Sequence, residues 1–388
     1  MIIIDLIVLW IVIKIGFKII KKLNKSFPIL PVKLFKYLLL YHLFFSFVYC
    51  MLSKVKEADS IAYYFGSRFE LKMGTAFIDS ITFILSDILH LSYLSTFWIF
   101  GLIGFFWLPI MYISICENMV ISKRILQIFH CILFLPGINF YTSNIGKDGI
   151  MALGITSLML SLNRISNRKK WFFFGLFLMF MIRPHICAVA LLALAISLLI
   201  HRSFFKSKFV LILTFLGILL GPVLIFKIFD YLKVSISSLS ELLFLFEIFQ
   251  QFQEKWSAVN LRGGSAVDIS DYSFFFKMFT FLYRPLFIDA NNKLMFLYSF
   301  ENLSYLIMTL FIFHRYVIGF FMKKKSLFFT FNFIYFLMTT TFFSLIITNL
   351  GLASRMRIMI LPSLISIILI SQSYNRWVIN KKKVILNE

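Results

Sequence analysis

The chain has 388 residues, of which 60% are hydrophobic and 14% are charged, and its mean hydropathy is +0.90. Soluble domains do not reach such a composition, so an ordinary soluble enzyme is excluded and a membrane-embedded protein is indicated. The formal net charge of +22 then has to be explained by topology or by an acidic partner.

Apolar segments long enough to cross a hydrocarbon layer of about 30 Å recur along the whole sequence. They predict an all-α integral membrane protein of about eleven transmembrane helices, folded as a single polytopic membrane domain over residues 1–388. The predicted spans are 2–20, 34–53, 93–115, 125–140, 149–163, 171–183, 186–200, 208–229, 294–313, 327–347 and 358–374. Two longer outer segments, about 54–92 and 230–293, separate some of these spans, and several other outer turns are short and re-entrant-like.

The basic residues give the orientation. If the N-terminus faces outward, 24 of the 39 Lys and Arg but only 2 of the 17 acids lie on the inner side. This asymmetry is the positive-inside pattern of membrane proteins. It accounts for the net charge, so we expect no nucleic-acid partner.

The polar residues of the outer segments have helical spacing. Asp79, Thr82, Ser86 and His90 recur at intervals of three and four residues, which predicts a polar stripe on one helix. Such a helix either lies at the membrane interface or lines a wet cleft. In the second segment Ser238 and Glu241 fit the capping box of another amphipathic interfacial helix.

Cysteines and histidines do not have the spacing of a metal site, and the sequence lacks a phosphate-binding glycine loop. The sequence therefore contains no recognisable ligand pattern for a metal or another cofactor. Dinucleotide chemistry and ATP hydrolysis have no support in the sequence.

Two very short outer turns contain charged residues, Lys147 and Asp148 in one, Arg183 and His185 in the other. Ionisable groups at the membrane edge are costly and usually face a bundle interior or a polar cavity. Each alone is also explained by an ion pair or by snorkelling. Together, five charged outer turns predict one outward-facing polar site, whose further members are Asp59, Tyr63, Arg284, Asp289, Glu301, Asn349, Arg355 and Arg357.

The segments that contain these residues resemble a known family. In order they read "DSIAYY", "LPGINFYTSNIGKDG", "IRPH", "GGSAVDIS" with "FTFLYRPLFIDANN" and "SFENL", and "NLG" with "SRMRIMILP". This order is similar to that of bacterial O-antigen (Wzy-type) repeat-unit polymerases and related integral-membrane glycosyltransferases. Relatives commonly have Trp-Glu where this chain has Ile288 and Asp289, so the carboxylate is kept but shortened.

The resemblance implies a multi-pass protein of the bacterial cytoplasmic (inner) membrane that acts on the periplasmic face. It would transfer a glycan from one undecaprenyl-diphosphate-linked repeat unit to another. Its partners would be that lipid-linked oligosaccharide, the membrane lipid, a flippase and a chain-length regulator.

Arginine pairs with phosphate oxygens through two prongs, so Arg183, Arg284, Arg355 and Arg357 are candidates for holding the diphosphate. Lys147 would add a further positive charge, and Asp59, Tyr63 and Asn349 would also contact substrate. A base is needed for the attacking hydroxyl. The sequence leaves four candidates unranked, namely Asp148, His185, Asp289 and Glu301.

Other functions stay open at this point. An O-antigen ligase and a polyprenyl-phosphate-sugar-dependent transferase would share this architecture. A lipid-linked oligosaccharide flippase is disfavoured, because alternating access favours repeated halves and polar residues near the midplane. This sequence shows no internal repeat, and its charges lie at the outer ends of the predicted helices. A structural membrane protein would not need five charged outer turns.

Overall fold

A computed structural model describes residues 2–55, 58–201, 265–269, 271–290, 293–310 and 326–385. Within these ranges the regular elements are helices, and one isolated bridge joins Ala266 to Asn349. The all-α prediction is thus confirmed for the described part of the chain. Its contacts form two compact units, Met1–Pro184 with Leu369–Glu388, and His185–Ile368. The expected single membrane domain stays a prediction.

Ten helices make up most of the first unit. They are α1 (Ile2–Ser26), α2 (Val32–Val55), α3 (Asp59–Phe65), α4 (Thr75–Phe83), α5 (Tyr93–Phe105), α6 (Trp107–Cys116), α7 (Lys123–Leu133), α8 (Pro136–Thr142), α9 (Lys147–Leu162) and α10 (Lys169–Ile182). The second unit contains α11 (Pro184–Ile200), α12 (Phe274–Tyr283), α13 (Lys293–Leu310), α14 (Leu327–Ile346) and α15 (Leu350–Met356). Helix α16 (Leu361–Ile385) begins in the second unit and ends in the first.

Three helices of the described residues are long and apolar enough to cross a membrane, namely α2, α14 and the nearly continuous pair α5 and α6. The number rises to five if two bent pairs, α7 with α8 and the segment Leu350–Met359 with α16, each count as one span. The predicted eleven spans are therefore not confirmed. One of them, 208–229, lies outside the described residues.

Glycines bring α9 into close contact with its neighbours. A Cβ on Gly104 of α5 would lie 1.9 Å from the Thr142 carbonyl oxygen of α8, and one on Gly149 of α9 would lie 2.5 Å from that same oxygen. On the opposite side, a Cβ on Gly175 of α10 would lie 2.7 Å from the Gly154 oxygen. Small residues permit such backbone approaches between membrane helices. The first turn of α9 is consequently enclosed by α5 and α8.

Helix α10 has one buried and one exposed face. Phe172, Gly175 and Met179 are buried within the unit. Four large aromatic side chains on the other face remain exposed, at positions Phe173, Phe174, Phe177 and Phe180. An exposed aromatic face of this kind suits contact with lipid.

The predicted span 125–140 is broken. Helices α7 and α8 meet at a bend of 47° before Pro136, which cannot donate a backbone hydrogen bond. The amide nitrogen of Asn139 donates to the carbonyl oxygens of Leu133 and Leu135, both at 2.9 Å. The amide oxygen of Asn139 accepts from His42 Nδ1 of α2 at 3.0 Å. These bonds satisfy backbone oxygens that the break would otherwise leave unpaired.

A polar network joins α6, α9 and α10 at the end of α9 that contains Leu162. The Arg168 guanidinium donates to both carboxylate oxygens of Glu117 at 2.7 Å, and Asn163 Nδ2 donates to Glu117 Oε2 at 2.6 Å. Burial alone would raise the pKa of Glu117, but the bonds from Arg168 and Asn163 outweigh it and the pKa is lowered. Glu117 is one of the two acids that the sequence places on the inner side, and here it neutralises an arginine.

We expect Arg168→Ala to lower the free energy of unfolding by about 1 kcal/mol, because it leaves the Glu117 carboxylate, whose side chain is 25% exposed, without its two-pronged donor. Thermal unfolding in detergent measures the change. Lys170→Ala is the matched control, since Lys170 is exposed on the same helix. Equal melting temperatures for the two variants would contradict this role of Arg168.

Candidate functional site

In the first unit, three of the predicted site residues lie together where α9 begins and α10 ends. Lys147 and Asp148 open α9, and Arg183 follows the last residue of α10. Arg183 Nη2 lies 3.7 Å from Asp148 Oδ1, and Asp148 has 0% exposure whereas the Arg183 side chain has 14%. We call Lys147, Asp148, Arg183 and the neighbouring Thr75 the α9 corner.

Helix α4 completes the α9 corner. Its first residue, Thr75, accepts a hydrogen bond of 2.6 Å from Lys147 Nζ. The preceding Gly74 has a φ of 85°, which suits glycine, and its N–H donates to the Met181 carbonyl oxygen of α10 at 2.7 Å. The start of α4 is thus attached to both α9 and α10. Thr75 is a contact that the sequence prediction missed.

In the second unit, the turn after α12 forms an ion pair. Arg284 Nη2 lies 2.5 Å from Asp289 Oδ1, its Nε lies 3.0 Å from Oδ2, and its Nη1 donates to the Tyr272 hydroxyl at 3.3 Å. The side chains of Arg284 and Asp289 are 18% and 11% exposed. We call Arg284, Asp289 and Tyr272 the Arg284 cluster.

The ion pair changes the ionisation of its members. Burial alone would raise the pKa of Asp289, but hydrogen bonds from Arg284 and from the Leu286 N–H outweigh it and lower that pKa. The hydrogen bond to Asp289 also raises the pKa of Arg284. Asp289 is therefore a weaker base than an unpaired aspartate.

Arg357 stabilises the backbone of the turn that contains Arg284. Its guanidinium donates to the Asn302 side-chain oxygen, to the Arg284 carbonyl oxygen at 2.6 Å and to Ser354 Oγ at 3.0 Å. Asn302 in turn donates to the Pro285 carbonyl oxygen at 2.7 Å. Arg357 is buried, so in this geometry it fixes the backbone of the turn that presents Arg284. Its predicted contact with substrate stays a prediction.

The other predicted residues of the second unit have separate surroundings. Glu301 is buried in α13 and accepts from the Tyr305 hydroxyl at 2.8 Å. The half-buried His185 ring lies 6.1 Å from that of Phe342. Asn349 Oδ1 caps α15 by accepting from the Leu352 N–H at 3.0 Å. Arg355 is half-buried on α15.

In the first unit, Asp59 and Tyr63 lie on α3, a helix of two turns, with Asp59 exposed and Tyr63 buried. The structure therefore brings Lys147, Asp148 and Arg183 together in the first unit, and Arg284, Asp289 and Arg357 together in the second. The other predicted residues lie outside these two groups. The expectation of one common site stays a prediction.

The predicted polar stripe is wrong in its extent. Helix α4 ends at Phe83 and passes into a π-helical turn over Ile84–Ile88, so His90 lies beyond the helix. Thr82 is buried and donates to the Ile78 carbonyl oxygen at 2.8 Å. Asp79 and Thr82 follow Thr75 by four and seven residues and share its face of α4, but Thr82 is buried whereas Asp79 is half-buried. The capping box at Ser238 and Glu241 lies outside the described residues.

Comparison with known protein families, with curated proteins and with solved structures finds no match to this chain. Across the residues that the structure covers, no cluster of three or more His, Cys, Asp or Glu side chains is placed to hold a metal ion.

Proposed function

We propose that this protein is a membrane glycosyltransferase that joins undecaprenyl-diphosphate-linked oligosaccharide repeat units into a surface polysaccharide. One observation carries the proposal. A partly exposed arginine, Arg183, forms an ion pair of 3.7 Å with the fully buried carboxylate of Asp148, beside Lys147, at the ends of two apolar helices. Such an arrangement keeps a guanidinium oriented at the membrane edge, where a lipid-linked anion can reach it.

The proposed donor brings its own leaving group. The bond from the anomeric carbon to the diphosphate breaks with its electron pair staying on the diphosphate, so fixed cations are needed more than an acid. Arg183 and Lys147 in the first unit and Arg284 in the second are suited to this role, because arginine contacts phosphate oxygens through two prongs.

The proposed topology follows from the charge distribution of the sequence. Eleven spans with an outward N-terminus place Lys147, Arg183 and Arg284 on the periplasmic side of the inner membrane. Contacts of the first unit agree with this grouping, since Asp148 and Arg183 lie at one end of the α9–α10 pair and Asn163 and Arg168 at the other. A flippase and a chain-length regulator would act before and during the reaction, and the bilayer presents both substrates.

Deleting the gene in its native strain tests the proposal. We expect the surface glycan to shrink to core plus a single repeat unit, because flipping and ligation continue without polymerisation. Electrophoresis of the extracted glycan gives the chain lengths, and the wild-type gene on a plasmid should restore them. Loss of even the single unit would instead favour a flippase, a ligase or a transferase that adds one sugar.

A further inference from the structure

The carboxylates of the two groups differ in how much of their hydrogen-bonding capacity is already used. Asp148 is fully buried against Arg183, Asp289 accepts from Arg284 and Leu286, and Glu301 accepts from Tyr305. A base for an incoming hydroxyl has to offer a lone pair at a place that substrate can reach. Asp148 and Asp289 do not satisfy that requirement in this geometry.

Asp79 has a different environment. It is half-buried on α4, and among the described residues its carboxylate receives no hydrogen bond and has no ion-pair partner within contact distance. Asp79 is one helical turn after Thr75, whose hydroxyl accepts from Lys147 Nζ at 2.6 Å. The carboxylate thus lies beside the α9 corner and remains available to a ligand.

The charges around Asp79 are Lys147 on α9 and Glu70 on the loop before α4. Glu70 is exposed and paired with Lys72 at 2.9 Å. Burial raises the pKa of Asp79. The charge of Lys147 opposes this effect and the charge of Glu70 adds to it, so that the pKa of Asp79 is raised overall. A carboxylate with a raised pKa is a stronger base than the clamped Asp289.

We infer that Asp79 is the base that takes the proton from the attacking sugar hydroxyl. This inference rests on the proposed function and adds a residue that the sequence did not place among the candidate bases. In the step, the hydroxyl proton moves to the Asp79 carboxylate while the hydroxyl oxygen forms a bond to the donor's anomeric carbon. The bond from that carbon to the diphosphate oxygen breaks, and the electron pair leaves with the diphosphate.

The charge balance of the α9 corner suits this step. Before reaction, the two cations Lys147 and Arg183 face the two carboxylates of Asp148 and Asp79. Proton transfer neutralises Asp79, so Asp79 and the α9 corner together gain one net positive charge as the leaving diphosphate gathers negative charge. This change stabilises the departing group at the moment it forms.

The test uses the purified full-length protein in liposomes with a lipid-linked repeat unit of the native strain, and chain growth is measured over time. We expect Asp79→Asn to lower kcat by a factor of about 100 or more with little change in KM, and Asp79→Glu to keep part of the activity. Asp87→Asn is the matched control, because Asp87 is exposed in the following turn and accepts hydrogen bonds from Ser67 and Ser86. We expect that control to keep wild-type kcat.

Chemical rescue separates a base from a structural carboxylate. Formate should restore part of the kcat of Asp79→Ala, because it can occupy the space of the deleted carboxylate and accept the proton. A wild-type kcat for Asp79→Asn overturns the inference, as does the absence of formate rescue in a folded Asp79→Ala protein. Failure of the wild-type protein to extend chains overturns the proposed function instead, so the two failures are distinguishable.

Discussion

Arg183→Ala is expected to abolish chain extension, for two separable reasons. It removes a cation that the proposed mechanism assigns to the diphosphate, and it leaves the Asp148 carboxylate buried with 0% exposure and without its arginine. Stranding one member of a buried ion pair costs about 3–5 kcal/mol of stability. Losing a donor to the leaving group lowers the rate by a factor of about 100–1,000.

A double variant separates these two effects. Arg183→Ala combined with Asp148→Ala removes the stranded charge, so the melting temperature should return most of the way to wild type. Chain extension should stay lost if Arg183 also binds the diphosphate. Arg68→Ala serves as control, because Arg68 is exposed in the same unit. Full recovery of chain length in the double variant would reduce Arg183 to a partner of Asp148.

Arg284→Lys is expected to lower the rate of chain extension by a factor of about 100 while membrane abundance stays near wild type. Lysine keeps the charge, so Asp289 still has a cation nearby. It loses the planar fork that contacts Asp289 through two nitrogens and Tyr272 through a third. The measurement is glycan chain length in a deletion strain that expresses each variant at matched abundance.

Lys293→Ala is the control for Arg284, since Lys293 is an exposed basic residue of the same unit. Asp289→Asn extends the test. This substitution removes the charge that pairs with Arg284 but keeps the guanidinium, so we expect a milder defect than that of Arg284→Lys. Wild-type chains from Arg284→Lys would contradict the two-pronged contact with the diphosphate.

Composition alone predicts the all-α architecture, because in a chain this apolar a helix makes its backbone hydrogen bonds within one segment. The number of spans is not predictable in the same way. A hydropathy pattern treats 125–140 as one segment, whereas Pro136 and the bonds of Asn139 make it two helices with a bend. Whether a break occurs depends on partners such as His42, which lies 97 residues away in sequence.

The candidate site is also only partly predictable from the sequence. Arg284 and Asp289 are five residues apart in one turn, so their proximity follows from the sequence. The pairing of Asp148 with Arg183 depends on how α9 and α10 pack through Gly154 and Gly175, which no local pattern reveals. The helical spacing groups Asp79 with His90 in one stripe. In the structure, Asp79 instead interacts electrostatically with Lys147 of another helix.

The lengths of α9 and α10 have a consequence for the surrounding bilayer. With 16 and 14 residues, and a rise of about 1.5 Å per residue, the two helices are about 24 and 21 Å long, shorter than a hydrocarbon layer of about 30 Å. In the proposed topology, where both helices span the membrane, acyl chains beside the exposed aromatic face of α10 must compress or tilt to match this height. In the proposed mechanism, such a depression beside Arg183 would lower the headgroup plane towards the guanidinium, so that a polyprenyl diphosphate could reach it without leaving the lipid phase. The thickness of the host membrane would then set access to the α9 corner.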